Sequence, residues 1–269
     1  MARIRYRYFP GCTLKTQAQI MEQTALVSAK ALGIQLEELP RWQCCGAVFP
    51  LYEDEAISLL SPVRTLAAAG GEPLVSLCAA CHHVLKRAQE TVRRNKEVRE
   101  KVTDFLQVNY GGEGRVLHFL ELLRDDYGFS RLAAEVRRPL AGQKLAPYYG
   151  CLLLRPGGVM QFDDPENPET MEEFLAALGA DPVSTAYRTE CCGAYLSVTR
   201  SDVAASTAGR IVEAAAKAGA EALVAACPLC RYNLENSVGS GGPRLPVYYF
   251  TELLAEALGV APGEEVKPG

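Results

Sequence analysis

The sequence predicts an α/β fold written twice: two similar α/β domains related by internal duplication, each with a small, mainly parallel sheet and a Cys-Cys-Gly site at the C-terminal ends of its strands. Three observations carry this expectation. Ten cysteines fall into two equivalent sets, each reading Cys, then Cys-Cys-Gly, then Cys-x-x-Cys. The flanking text repeats too: "YFPGC" at Tyr8 answers "PYYGC" at Pro147, "LVSLCAAC" at Leu74 answers "LVAACPLC" at Leu223, and "RVLHFLELL" at Arg115 answers "PVYYFTELL" at Pro246. Short apolar runs alternate with stretches of helical spacing, the pattern of parallel βαβ units.

In the first half the cysteines are Cys12, Cys44, Cys45, Cys78 and Cys81, with 31 and 32 residues between successive motifs. After Cys12, "TLKTQAQIMEQTALVSAKALG" (Thr13 to Gly33) carries apolar residues at helical spacing and stops at a glycine. "PLVSLC" is an apolar run ending at Cys78, and "HHVLKRAQETVRR" behind it is helical, so a strand delivers the Cys-x-x-Cys to a loop where a helix begins. The basic run Lys86 to Lys101 has interspersed glutamates and reads as one ordinary exposed helix. "RRPLAGQKLAP", Arg137 to Pro147, breaks the helical pattern and places the boundary between domains 1–140 and 141–269.

The second half repeats the scheme with Cys151, Cys191, Cys192, Cys227 and Cys230, spaced by 39 and 34 residues. "FDDPENPE" is acidic but lacks the regular spacing of a calcium loop, and reads as a turn leading to a helix near Met171. "STAGRIVEAAAKAGA" is helical, "EALVAAC" is a strand and "RYNLEN" begins another helix. Sites in parallel sheets gather at the C-terminal strand ends, so the five cysteines of each half converge on one rim.

Composition bounds the function. A chain of 269 residues with 48% hydrophobic and 22% charged residues fits a soluble two-domain protein. Its net charge of -4 gives no reason to expect nucleic acid as a partner. The start, "MARIRYRYFPGC", lacks the apolar core of a signal peptide, and no run approaches the ~18 apolar residues of a transmembrane segment, so a cytoplasmic protein is expected. Thiols stay reduced there, and clustered cysteines then bind metal or do redox work.

Five thiols exceed the four that a tetrahedral zinc or a cubane iron–sulfur cluster takes. Neighbouring cysteines reach adjacent metals of a larger cluster more readily than one tetrahedral ion. Gly46 and Gly193 let the backbone turn tightly beside it. One multi-iron cluster with five thiolate ligands per half is the simplest reading; zinc or mixed occupation and a dithiol–disulfide framework are the alternatives.

At these residues, and over nearly its whole length, the chain resembles the B subunit of heterodisulfide reductase, a family with a duplicated cysteine-rich CCG domain. "YFPGC", "YYGCLLLRP", "FDDPENPETM" and "TECCGAYLSVTR" sharpen the resemblance. It implies two noncubane 4Fe-4S clusters, each a fused 3Fe and 2Fe unit, with a disulfide substrate cleaved between them. Carried over by position, Cys12, Cys44, Cys45, Cys78 and Cys81 hold one cluster, and Cys151, Cys191, Cys192, Cys227 and Cys230 the other. The implied partners are a ferredoxin-like C subunit and a flavin-containing A subunit, since the chain has no G-x-G-x-x-G flavin fingerprint and its one haem-like spelling, Cys78-Ala-Ala-Cys81-His82, uses cysteines already claimed. The same family also implies an alternative, an electron-transfer iron–sulfur subunit of a lactate, glycolate or succinate/quinone dehydrogenase complex. Of the remaining polar residues, His82 and His83 read as surface at a helix start with proton carriage as the alternative, and Lys15 and Arg155 as solvated charge with anion binding as the alternative.

Overall fold

Four strands and their crossovers make up each half of the computed structural model, which describes residues 4–47, 55–237 and 243–263. In the first half these are β1 (Ile4–Phe9), α1 (Gln19–Ala31), β2 (Ile34–Glu38), α2 (Glu55–Ala68), β3 (Leu74–Ser76), α3 (Ala79–Arg94), α4 (Lys96–Leu106), β4 (Val116–His118), then α5 (Phe119–Glu121), which runs on as a π-helical turn over Leu122–Tyr127, and α6 (Phe129–Glu135). The second half holds β5 (Lys144–Tyr148), α7 (Gly157–Met160), α8 (Thr170–Ala177), β6 (Asp181–Pro182), α9 (Leu196–Thr199), α10 (Ser201–Lys217), β7 (Ala222–Ala225), α11 (Pro228–Glu235), β8 (Val247–Tyr249) and α12 (Phe250–Leu258).

Both sheets are wholly parallel and share one topology, β2-β1-β3-β4 and β6-β5-β7-β8. The internal duplication expected from the cysteines therefore holds at the level of strand order. β3 and β7 are fully buried, as central strands covered on both faces must be, with Ser76 the one polar residue in them. In each sheet the chain reverses direction of growth between its first and third strands, which puts a crevice at the C-terminal ends of β1 and β3 and of β5 and β7.

Two local expectations need correction. The run Lys86 to Lys101 is not one helix: α3 ends and α4 begins at Asn95, whose extended backbone (φ -111°, ψ 98°) lets its side chain accept the Val98 N–H. The helix expected from Thr13 starts only at Gln19, because Thr16 and Ala18 donate their N–H groups to the Thr13 carbonyl and tighten the preceding residues into turns. By contrast, "FDDPENPE" is the expected turn. Asp164 accepts the Glu166 and Asn167 amides, and Asp163 accepts those of Glu169 and Thr170 at the start of α8.

Each sheet is built from one half of the sequence, yet each half lends its last helices to the other. α12 packs along α1, α6 packs on α8, and α3 meets α7. Thr24 Oγ1 donates to Ile20 O and lies 2.9 Å from Thr251 Oγ1, inside the α1–α12 contact. Phe250 sits where the halves join, fully buried, with ring centroids of His118, Phe119 and Phe174 at 5.5, 6.3 and 6.0 Å. One continuous core thus threads both halves, and a smaller one lies between the second sheet and α10. Among the described residues no helix is long and apolar enough to cross a membrane.

Phe250→Ala should cost about 3–5 kcal/mol of unfolding free energy in a urea titration, the usual loss for a buried phenylalanine. The transition should stay single because the halves share a core; two resolved steps would contradict that sharing.

Candidate metal centres

Every cysteine follows the C-terminal end of a strand. Cys12 lies beyond β1, Cys44 and Cys45 beyond β2, and Cys78 and Cys81 open α3 beyond β3; Cys151, Cys191 with Cys192, and Cys227 with Cys230 occupy the same places after β5, β6 and β7. All ten are free thiols. In the first set Cys12 Sγ is 3.4 Å from Cys44 Sγ and Cys45 Sγ is 3.3 Å from Cys81 Sγ; in the second, Cys192 Sγ is 3.6 Å from Cys230 Sγ. The Cys-Cys-Gly turns need their glycines: Gly46 and Gly193 have φ of +81° and +92°. Gly11 is needed for space, since a Cβ there would come within 2.9 Å of Cys81 Sγ.

Crowding of the thiols sets their protonation. The neighbouring thiols of Cys44 and Cys81 draw Cys45 down to about 4. Those of Cys151 and Cys192 draw Cys191 down to about 2, and those of Cys230 and Cys78 hold Cys227 well below the usual thiol range. Their partners move the other way: Cys44 and Cys151 are raised chiefly by sharing their protons with Cys45 and Cys191, and Cys192 rises to about 11 through Cys191. Like charges in one pocket cannot all ionise unless a cation compensates them.

The two sets meet. Cys78 and Cys227 both line the junction, each shifting the other's acidity, and beside them Ala79 N–H donates to the Ala226 carbonyl at 3.0 Å. The duplicate of that backbone bond cannot form, because the residue answering Ala79 is Pro228, which has no N–H. His118 fills the gap: its Nε2 donates to the Leu77 carbonyl at 2.7 Å and its Nδ1 accepts from Leu120 N, which fixes a neutral tautomer. Burial keeps it neutral, lowering its pKa to about 4. A cavity of about 500 Å³ opens at this junction, lined by all five cysteines of the first set, by Cys227, and by Tyr195, Arg231 and Tyr249 of the second half.

The cysteine-rich domain model, CCG, matches residues 6–86 and 145–235, one copy on each half. The chain belongs to the CCG cysteine-rich domain family. As a CCG protein it is 30% identical to the 8-methylmenaquinol:fumarate reductase membrane anchor subunit of Wolinella succinogenes, over 97% of this chain and 94% of that one. It is 27% identical to the B subunit of the Ferredoxin/F(420)H(2)-dependent CoB-CoM heterodisulfide reductase of Methanosarcina acetivorans, over 95% of this chain and 90% of that one. Among solved structures, a hypothetical protein from Helicobacter pylori superposes with a TM-score of 0.74 at 14% identity, covering 99% of this chain; this chain spans 50% of that one, and the likeness concerns the fold alone.

The donor sets of this CCG protein suit a polynuclear group better than a single ion. Each set presents five sulfurs from three separate loops, soft donors more numerous than a tetrahedral zinc uses. Iron in each pocket would supply the positive charge that lets more thiols ionise.

Several of the polar residues behave differently from expectation. His82 is not at the surface but fully buried, its Nε2 3.2 Å from Glu121 Oε2. Burial holds it neutral. His83 is largely covered and its Nδ1 contacts the Leu152 carbonyl across the halves. Lys15 is paired with Glu22 and Glu38, and Arg155 with Glu166 and the carbonyls of Thr189 and Pro165, so neither is free to bind an anion. One device escaped sequence reasoning. The residue after each Cys-x-x-Cys faces the glutamate that caps the helix after the fourth strand: His82 with Glu121, and Arg231 with Glu252 at 2.6 Å. Both glutamates stand in the repeated "FLELL" and "FTELL", which was the available signal.

Gly193→Ala and Gly46→Ala should differ in effect. Both incur about 1–2 kcal/mol for a side chain at positive φ, but the new Cβ at 193 would lie 2.7 Å from Ala204 Cα, whereas at 46 nothing described lies within 4 Å. Urea unfolding of the metal-free protein should show Gly193→Ala weaker by a further 1–3 kcal/mol or so; equal losses would mean the turn is not pinned against α10.

Proposed function

We propose that this chain is the iron–sulfur catalytic subunit of a heterodisulfide reductase-like complex. Domains 1–140 and 141–269 each hold one noncubane 4Fe-4S cluster, on Cys12, Cys44, Cys45, Cys78 and Cys81 and on Cys151, Cys191, Cys192, Cys227 and Cys230. The observation that carries this reading is that all five thiols of the first set and Cys227 of the second line one cavity, where the Ala79 N–H bonds the Ala226 carbonyl between the two halves. When bound, the clusters supply electrons and iron sites for substrate sulfur.

The chain's own residues shape where this happens. Reducing one disulfide consumes two electrons and two protons and yields two thiols, so two one-electron sites side by side match its stoichiometry. Tyr249 and Leu229 wall the cavity with apolar surface and limit water beside the sulfurs. Arg231 lies over the Tyr249 ring, 4.6 Å from its centroid, and is held there by Glu235 and Glu252; it shapes the wall with its charge already matched. Electrons arrive from outside, from a ferredoxin-like C subunit and a flavin-containing A subunit, and the assembly is cytoplasmic.

A second reading, an electron-transfer subunit of a succinate/quinone type complex, is favoured by one finding: the 30% identical relative from Wolinella succinogenes is a subunit of a methylmenaquinol:fumarate reductase.

Anaerobically purified protein should carry about eight irons per chain with matching sulfide, two four-iron clusters; one zinc per half with little sulfide would contradict the cluster reading. With reduced ferredoxin-like partner or a low-potential dye and a panel of disulfides, Cys45→Ser and Cys192→Ser should each abolish turnover, as for groups acting as one unit. Full turnover in either variant rules out the two-site mechanism. Fast electron passage between a dehydrogenase and an acceptor, without disulfide reduction, selects the second reading.

A further inference from the structure

The two cysteine sets are copies in position but not in their surroundings. Three residues beyond the second cysteine of each Cys-x-x-Cys, the first half has Val84 on α3 and the second has Asn233 on α11. Asn233 is 3% exposed, and its side-chain amide nitrogen lies 3.4 Å from Cys192 Sγ, 3.2 Å from the Cys192 carbonyl and 3.2 Å from the Ala194 carbonyl. Both carbonyls can only accept, so the NH₂ group and not the amide oxygen faces the turn. It therefore spans the whole Cys192-Gly193-Ala194 turn and presents an N–H to the sulfur.

The first half secures its turn by another route. Ser61 Oγ donates to the Cys44 carbonyl at 2.5 Å from α2, a contact to backbone alone, and Val84 brings an apolar side chain to the place of Asn233. Holding the turn and hydrogen-bonding the sulfur are thus separable tasks, and only the second half combines them in one residue. An N–H aimed at a ligating thiolate stabilises the more negative, reduced state of the metal group it holds, and such contacts are among the main means by which a protein sets an iron–sulfur potential.

The structure assigns Asn233 as a positioning residue that raises the reduction potential of the C-terminal site through Cys192, and Val84 as the residue that leaves the N-terminal site without this contribution. This rests on the iron–sulfur reading above and deepens it: the two sites accept their electrons at different potentials, so they fill in sequence and not together.

The test is an anaerobic potentiometric titration with dithionite and redox mediators, followed by electron paramagnetic resonance, on wild type, Asn233→Val and Val84→Asn, with iron and sulfide measured on each sample. Asn233→Val should lower one of the two steps about tenfold in its electron-binding constant, close to 59 mV for one electron, and leave the other in place. Val84→Asn should raise that other step. If both variants retain wild-type iron and neither step moves, the assignment is overturned while the iron–sulfur reading stands. Should Asn233→Val lose its iron, Val84→Asn decides alone: an upward shift of its step supports the assignment and an unmoved step overturns it. A wild-type protein that takes up no iron overturns both readings together.

Discussion

The contact between the halves, Ala79 N–H to the Ala226 carbonyl beside Cys78 and Cys227, is what the rest of the arrangement depends on. Each member lies at the junction of a central strand and the helix that follows it, where backbone groups at the helix start have no partner within the helix. Joining the two junctions satisfies part of that need and at the same time sets the distance between the cysteine groups. The exchange of helices, α12 onto α1 and α6 onto α8, then holds the junction in place from both sides. A protein with two independent domains joined by a linker could carry the same cysteines without bringing Cys78 to Cys227.

The duplication is most informative where it fails. Pro228 in place of Ala79 removes one of two equivalent hydrogen bonds, and His118 takes up the freed carbonyl. Arg231 in place of His82 puts a paired cation at the cavity wall where the other half buries a neutral imidazole. Tyr148 stands where the first half has Phe9, each packed beside a cysteine-bearing turn, and its hydroxyl donates to the Glu190 carbonyl next to the Cys-Cys-Gly. These substitutions keep the ligand positions equal while making their electrostatic settings unequal, which a catalyst or a wire with two stations needs if electrons are to pass in one order.

Acidity within the sets follows the same logic of enforced proximity. Cys45 and Cys191 are held as thiolates by neighbours that keep their protons, so each set carries a limited negative charge as folded thiols and gains more only against bound cations. A metal group bound by these sets would therefore displace thiol protons. Buried His118 and His82 stay neutral under the same desolvation, leaving the thiols as the groups whose protonation responds.

How much of this was readable beforehand depends on the range of the interaction concerned. Cysteine spacing, the repeated flanking text and the strand–helix alternation are local in the chain, and they determined the duplicated α/β fold, the parallel sheets and the convergence of five thiols at each rim. Local competition explains the errors of detail: the sequence cannot show that Asn95 caps a new helix better than it continues an old one, or that Thr13 draws two amides into a turn. The burial of His82, the pairing of Lys15 and Arg155, the meeting of Cys78 with Cys227 and the reach of Asn233 to Cys192 were decided only by the tertiary structure. Each joins elements far apart in the chain, and whether a side chain meets solvent, a carboxylate or a sulfur depends on how those elements pack, which no single stretch of sequence records.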